Sequence, residues 1–135
     1  MRQFNAKLMH ITRILSIIIT TIFFPLTYAI GAEDTTPPTA NHNRDDDFSI
    51  VDMTTESELL FRVNYSDKES GIDATSVRIF INDVDVTNKA TVTHNYVSYV
   101  ISKNDGGGLY SAKVIVKDKA GNATTITWDS MYQHC

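Results

Sequence analysis

The segment VIVKDKAGNATTITW, residues 114–128, contains the pattern that decides the fold. Apolar and polar residues alternate on both sides of a short polar loop, residues 118–122, and alternation with a period of two is typical of half-buried β-strands. Within the loop, Gly121 and Asn122 supply the backbone freedom that a tight connection needs. The segment therefore predicts a β-hairpin.

The same alternation recurs along the chain from Phe48 onward. Turn-forming segments rich in Gly, Asn and Asp separate the alternating runs, and no segment after residue 48 shows convincing helical periodicity. The predicted inward positions are Leu59, Phe61, Val63, Tyr65, Val77, Ile79, Ile81, Val92, Val97, Tyr99, Ile101, Tyr110, Ala112, Val114, Val116, Ile126 and Trp128. About seven short antiparallel strands at this spacing predict an all-β fold, a β-sandwich.

Residues 1–32 have the pattern of a secretory signal peptide. Basic residues precede the apolar run ILSIIITTIFFPL, and small residues follow it at candidate cleavage positions, after Ala29 or Ala32. The alternative is a retained signal anchor, because residues 14–32 carry no charge and a spanning helix needs roughly 17–25 residues. A proline and the Thr and Tyr content of the segment favour cleavage, so the protein is predicted to be secreted or exposed at the cell surface.

The charge balance of the mature chain argues against one class of partner. Removing residues 1–32 takes away Arg2, Lys7 and Arg13 but no carboxylate, which leaves nine basic and sixteen acidic residues, a net charge of −7. A domain this acidic repels phosphate backbones, and no basic stripe offsets the repulsion, so nucleic acid is not an expected partner. Cys135 is the only cysteine, so the fold must form without an intrachain disulfide, and Cys135 could only pair between chains.

The mature chain divides into three predicted parts. Residues 33–47 are polar, contain two prolines and end in a group of aspartates, which predicts a flexible linker. Residues 48–130 are predicted to form the β-sandwich. The alternation breaks after Trp128, so residues 131–135 are predicted to be an irregular tail.

Four segments carry a resemblance to a known family: DTTPPT, SDKESGIDATSVRIFINDVDVTNKATVT, VSY and GLYSAKVIVKDKAGNATTITW. Their order resembles that of the bacterial immunoglobulin-like (Ig-like) domains of secreted and cell-surface proteins. The specific features are an SGID loop that opens a strand, a V-x-I-x-I strand followed by N-D-V-D-V-T, and a G-x-Y strand that ends in D-x-A-G-N. The resemblance spans residues 34–128 and implies an Ig-like β-sandwich. Domains of this kind serve as spacers, adhesion modules or accessory domains of exported enzymes, so the resemblance implies a fold more than one activity.

Acidic residues in two loops suggest a calcium site. In a sandwich of this topology the two loops lie at the same end, and residues 45–47 of the linker are expected to approach them. The candidate metal ligands are Asp67, Glu69, Asp73, Asp118 and Asn122, because Ca²⁺ takes six to eight oxygen ligands from flexible loops of this composition. The alternative is a plain turn, in which Asp118 bonds nearby amides and Lys68 and Lys119 pair with the acids.

A second candidate surface depends on which strands are neighbours. If the strand of Val77 pairs with the strand of Val114, an apolar pair rimmed by positive charge faces outward. Its members are Arg78, Phe80, Lys113, Ile115 and Lys117. The expected partner is a protein or glycan at the cell surface, and the alternative is that a neighbouring Ig-like module, the linker or a second copy covers the pair.

The sequence does not favour an enzyme. His42 and His94 have neither the spacing of metal ligands nor a partnered nucleophile. The glycines at 106–108 are followed by Leu109 and Tyr110, where a phosphate-binding loop would place Lys and Ser or Thr. The leading hypothesis is therefore a non-catalytic exported module for adhesion, interaction or spacing; the alternatives are a calcium-stabilised surface module and an accessory domain of an exported hydrolase or protease.

Overall fold

The computed structural model describes residues 31–135. Residues 1–30, which contain nearly all of the predicted signal peptide and its membrane-anchor alternative, lie outside the described residues. Asp34–Cys135 form one structural unit. No helix among residues 31–135 has the length and apolarity required to cross a membrane.

The described residues are mostly β-structure, as the alternation predicts. The strands are β1 (Thr39–His42), β2 (Phe48–Asp52), β3 (Glu58–Ser66), β4 (Ile72–Ile81), β5 (Val84–Asp85), β6 (Thr91–Val92), β7 (Tyr96–Ser102), β8 (Gly108–Asp118) and β9 (Ala123–Gln133). Two short 3₁₀ helices, Thr87–Lys89 and Lys103–Asp105, lie between strands. The strands form two sheets: sheet I in the order β1-β3-β7-β6, and sheet II in the order β2-β9-β8-β4-β5. No disulfide is present, and Cys135 is a free, exposed thiol.

One hydrophobic core is built from both sheets. Every inward position predicted from the alternation is either buried or packed against the buried cluster. The rings of Phe61 in sheet I and Trp128 in sheet II lie 5.6 Å apart, so the two sheets share an aromatic contact. The structure adds four buried hydrophobic residues that were not predicted, Val51, Met53, Ile72 and Tyr132.

The predicted linker contains a strand. β1 pairs with β3 in an antiparallel ladder from Thr39 opposite Ser66 to His42 opposite Val63. The segment lacks apolar alternation because its side chains are exposed or half-buried. What orders it is the backbone ladder and the stacking of His42 on Trp128, with ring centroids 4.9 Å apart, and both are long-range contacts that the sequence does not display.

The last strand also extends further than predicted, to Gln133. Trp128, Ser130 and Tyr132 all point into the core, and Ser130 breaks the apolar alternation although it is fully buried. Its hydroxyl bonds the hydroxyl of Ser49 at 2.7 Å, which satisfies the buried polar group. The residues predicted as an irregular tail therefore include the end of β9.

Two further features differ from the prediction. Nine strands are described instead of about seven, because β1, β2 and the two-residue β5 are short edge strands. β2 pairs with β9 in parallel, with Ile50 opposite Met131, so the strands are not all antiparallel. The chain crosses from sheet I to sheet II between β1 and β2, and β2 runs in the same direction as β9.

Candidate functional site

The loop between β8 and β9 is a hairpin turn closed by Asp118. The Asp118 N–H donates to the Asn122 carbonyl at 3.0 Å, and the Asp118 carboxylate accepts bonds from the Asn122 backbone N–H at 2.9 Å and side-chain amide at 2.8 Å. Gly121 has φ +95°, a conformation that side chains rarely adopt. Asp118 is 1% exposed, so the turn places a carboxylate in the protein interior.

The loop between β3 and β4 has a similar construction around Asp67. One Asp67 carboxylate oxygen accepts the N–H of Gly71 at 2.7 Å and that of Glu69 at 3.2 Å. The two loops are joined directly, since the Lys119 N–H donates to the Gly71 carbonyl at 2.9 Å. The predicted meeting of these loops at one end of the fold is therefore observed.

Asp34 arrives at the same place from the N-terminal segment. Its carboxylate accepts the N–H of Thr36 at 2.9 Å and both the N–H and the hydroxyl of Ser70, at 3.1 and 2.5 Å. Its backbone carbonyl accepts the Asn122 side-chain amide at 3.0 Å. The Ser70 hydroxyl, followed by the Thr36 N–H, lowers the pKa of Asp34 from 3.8 to about 2, because these donors stabilise the charged form.

Three carboxylates meet at this point. Asp34, Asp67 and Asp118 each offer an oxygen atom, and these atoms lie within 4.8 Å of one another. We call the three residues the acidic cluster. Within residues 31–135 the one contact between a basic and an acidic side chain at salt-bridge distance joins His42 and Asp47, 3.2 Å apart. The pairing of Lys68 and Lys119 with these acids therefore does not occur at salt-bridge distance.

The predicted ligand set is only partly brought together. Asp67 and Asp118 belong to the acidic cluster, and Asn122 contacts it by donating its amide to the Asp118 carboxylate. Glu69 instead accepts the hydroxyl of Thr36 at 3.0 Å. Asp73 accepts the hydroxyl of Thr75 at 2.6 Å, which is the main cause of its lowered pKa, so Glu69 and Asp73 lie outside the cluster.

The linker aspartate that reaches the loops is Asp34, and the expectation for residues 45–47 is wrong. β1 runs antiparallel to β3, so the start of β1 lies beside the end of β3, next to the Asp67 loop. Residues after β1 are carried toward the opposite end of β3, where Asp47 bonds His42. The position of an acid relative to β1 could not be read from a segment that was interpreted as a linker.

The second candidate surface is the outward face of sheet II, which we call the outer face. β4 pairs with β8 as the prediction required, with Arg78 opposite Ile115 and Phe80 opposite Lys113. All five predicted residues, including Lys117, therefore lie on this face. The Lys113 ammonium lies 4.7 Å from the centre of the Phe80 ring, a cation–π contact that partly covers the predicted apolar pair.

More exposed apolar residues lie at the other end of the outer face, and the sequence analysis missed them. Phe48 is 50% exposed, Ile50 59% and Leu109 49%. Ile50 and Leu109 both pair with Met131 of β9, so apolar side chains cross three neighbouring strands. The alternation in the segment FSIVD was a usable signal for β2, but the neighbours of β2 became visible only with its parallel pairing.

The comparisons with known proteins support the fold only. No family model matches the chain, and no curated protein matches it. Among solved structures, the chain is similar to part of the endo-beta-1,4-mannanase from Thermotoga petrophila, with a TM-score of 0.53, 10% sequence identity and 76% of this chain covered. It is also similar to the GspB Siglec domain, with a TM-score of 0.50, 15% identity and 76% of this chain covered.

The two solved proteins differ in how much of their own length is matched. The chain spans 21% of the mannanase chain and 60% of the Siglec-domain chain. At these identities the likeness shows a shared arrangement of strands, and fold alone does not carry an activity.

Proposed function

We propose that the protein is an exported, non-catalytic Ig-like module that acts at the cell surface as an interaction domain, and that its two sheets form an Ig-like β-sandwich. The observation that carries the proposal is the outer face of sheet II, where Phe48, Ile50 and Leu109 are about half exposed. Exposed apolar groups concentrated on one face and rimmed by charge mark interaction sites more often than scattered ones do. The resemblance to bacterial Ig-like domains and the single core shared by two sheets support the fold part of the proposal.

Export is tested with the full chain produced in a bacterial host. The expected product is cleaved after Ala29 or Ala32 and is found outside the cytoplasm, as read by N-terminal sequencing of fractionated cells. In the matched variant Ile18→Arg, a charge in the apolar run should retain the uncleaved chain inside the cell. Retention of the unchanged chain in the cytoplasm would contradict the proposal, and a full-length chain in the membrane would favour the anchor.

Interaction is tested with beads that carry residues 33–135 and are mixed with intact bacterial cells. The triple variant Phe48→Ser, Ile50→Ser, Leu109→Ser should lose cell binding, because it removes the apolar part of the outer face. The control Val100→Ser changes a residue that is 41% exposed on the outward face of sheet I and should bind like the unchanged domain. If the triple variant binds cells as well as the unchanged domain, the interaction uses another surface. If neither the unchanged domain nor any variant binds cells, the interaction role is contradicted and a spacer role is favoured.

A second candidate function, a calcium-stabilised module, is favoured by the acidic cluster. Three carboxylates within 4.8 Å repel one another unless a cation lies between them, and three carboxylates with waters can supply the oxygen ligands of Ca²⁺. Asp34, Asp67 and Asp118 would hold the ion, which would join the N-terminal segment to both loops. The ion would stiffen this end of the domain without a catalytic role.

Thermal unfolding in chelator and in millimolar Ca²⁺ tests this candidate. Calcium at 100 times its dissociation constant adds about 2.7 kcal/mol, which raises the midpoint of a domain this size by roughly ten degrees or more. Asp118→Asn keeps the size and one acceptor of the side chain but removes the charge, so it should abolish the shift. Asp46→Asn, which removes an exposed charge away from the cluster, should keep the shift. If calcium does not raise the unfolding midpoint of the unchanged domain, the calcium proposal is contradicted and Asp118 acts only in closing the turn.

An accessory role in an exported hydrolase or protease stays a third proposal. The chain is similar to about a fifth of a mannanase, which shows that this strand arrangement occurs as one part of a larger enzyme. The test is whether the longest chain that the source cell produces from this gene carries a catalytic domain.

A further inference from the structure

The outer face of sheet II has its charges separated along the strands. Asp52 and Asp129 lie at the end that carries Phe48 and Ile50, because Phe48 pairs with Asp129. The three cations Arg78, Lys113 and Lys117 lie toward the other end, where Lys113 pairs with Phe80. Asp85, opposite Phe80, and Asp73, opposite Lys117, also lie at this end, so three cations and two acids leave it with a small positive balance. The other end, with Asp52 and Asp129, is acidic, so the two ends differ in the sign of their net charge.

These charges are not neutralised by ion pairs within residues 31–135, where the one pair at salt-bridge distance is His42 with Asp47. The apolar side chains between them are also uncovered, since Ile50 and Leu109, which flank Met131 across three strands, are 59% and 49% exposed. An exposed row of this kind costs free energy in water that burial against a second surface recovers. The outer face thus presents exposed apolar area together with charges that have no partner of opposite sign at salt-bridge distance among residues 31–135.

We propose that the partner of the outer face is a second copy of this chain, and that two copies pack outer face to outer face about a two-fold axis lying in the plane of the face. This deepens the proposed function and rests on it, because the same face is used. A two-fold interface requires a self-complementary surface. The outer face meets that requirement when the axis is perpendicular to the strands, because the rotation then places the acidic end of each copy against the basic end of the other.

Charge complementarity selects this arrangement over edge-to-edge pairing. β2 is one of the two edge strands of sheet II. Its free side leaves backbone groups unpaired, and such an edge can pair with another strand. Pairing two β2 edges would bring Asp47 and Asp52 of both copies into one region, and like charges on neighbouring strands repel. Face-to-face packing instead brings Asp129 of each copy toward Lys113 of the other and buries Ile50 and Leu109.

The test is sedimentation velocity of residues 33–135, which contain the whole structural unit, over a range of concentrations. Reducing agent is included because Cys135 is exposed, and the runs are made in chelator at low and high salt. The expected result is a monomer–dimer equilibrium whose dissociation constant rises at least tenfold from low to high salt. A monomer at every concentration at low salt would overturn the proposal.

Charge reversal locates the interface. Lys113→Glu and Asp129→Lys should each raise the dissociation constant of the dimer more than tenfold. In either variant the side chains at 113 and 129 carry the same charge, and the two-fold axis creates this repulsive contact twice. An equimolar mixture of the two variants should recover the dimer, since both contacts then join opposite charges. Lys103→Glu makes the same charge change off the face and should dimerise like the unchanged chain.

Apolar substitutions give an independent readout. Ile50→Ser with Leu109→Ser should abolish the dimer, whereas Val100→Ser on sheet I should not. A dimer that persists in both charge variants and in the apolar variant would overturn the assignment to the outer face. If the chain is exported and binds cells but forms no dimer, self-association is overturned and the proposed function stands. If the chain forms the dimer but is retained in the cytoplasm, only the proposed function is contradicted.

Discussion

At the scale of single residues, Asp118 shows how one side chain serves a turn and a charge cluster together. Its carboxylate closes the hairpin by accepting two bonds from Asn122. The same carboxylate lies within 4.8 Å of Asp34 and Asp67. The two roles are separable by experiment, because the turn needs an acceptor whereas a cation site needs negative charge.

Asp118→Ala tests the turn role in chelator. The change leaves the Asn122 N–H and amide without their acceptor, so the free energy of unfolding should fall by about 1–3 kcal/mol. Asp46→Ala, which alters an exposed acid outside the cluster, should change it by about 0.5 kcal/mol or less. The measurement is urea unfolding followed by circular dichroism, and equal midpoints for Asp118→Ala and the unchanged domain would contradict the turn role.

Tyr110 makes a second side-chain to backbone contact at this scale, since its hydroxyl donates to the Gly106 carbonyl at 2.7 Å. Burial, with smaller contributions from Asp105 and Tyr99, raises the pKa of Tyr110 above 10.0. A raised pKa in the folded state means that this contribution to stability is complete below pH 10 and is lost as the pH rises above it. Stability should therefore fall above pH 10.

The comparison of Tyr110→Phe with the unchanged domain measures that contribution. The variant should be modestly less stable at pH 7 and should lose less stability between pH 9 and pH 11.5, because it has no hydroxyl to ionise. Tyr96→Phe changes a ring on the outward face of sheet I, beneath Arg62, and should follow the unchanged domain. Parallel pH profiles for all three proteins would show that Tyr110 does not contribute.

At the scale of elements, β1 and β2 determine where the chain's acids and exposed apolar groups lie. β1 runs beside β3 and so delivers Asp34 to the two loops. β2 runs beside β9 and so delivers Phe48 and Ile50 to the outer face. Both candidate sites therefore depend on edge strands near the N-terminal end of the described residues.

Removal of β1 tests whether residues 33–42 are part of the fold. A chain of residues 43–135 loses the ladder with β3 and the stacking of His42 on Trp128. At about 1 kcal/mol net for each backbone bond, its free energy of unfolding should be lower by about 2 kcal/mol or more than that of residues 33–135. Trp128 fluorescence should also shift to the red. Equal stability and equal emission of the two chains would support the linker that the sequence predicted.

At the scale of the whole molecule, one core joins the two sheets, so the unit is expected to unfold cooperatively. Phe61 and Trp128 contact across the core, and both are buried. The shared core holds the outer face and the loop end in one rigid frame. Loss of contact between the sheets should therefore affect every part of the unit.

Phe61→Ala tests this coupling. A large-to-small change at a fully buried aromatic residue should lower the free energy of unfolding by about 3–5 kcal/mol, whereas Val100→Ala at an exposed position should change it by about 0.5 kcal/mol or less. In both proteins, backbone circular dichroism and Trp128 fluorescence should report the same midpoint. Two separate midpoints would show that the sheets unfold independently.

The sequence was sufficient wherever side-chain pattern and local chemistry carry the information. The alternation identified the central strands and their inward residues, and Gly121 with Asn122 identified the hairpin turn. Both signals are local. Successive side chains of a strand point to opposite faces, so a buried face shows as an apolar residue at every second position, and a turn needs residues that adopt particular backbone angles. The pairing of β4 with β8, on which the outer face depends, followed from the expected topology.

By itself, then, the sequence determined that this chain is mostly β, that it folds without a disulfide, and which residues form most of its core. Only the tertiary structure decided that β1 is a strand, that β2 pairs in parallel with β9, that Asp34 joins Asp67 and Asp118, and that Ile50 and Leu109 share a row across β9. The physical reason is that edge strands are held by backbone hydrogen bonds to distant residues. Those bonds leave no pattern in the side chains, so their partners are set only when the whole fold assembles.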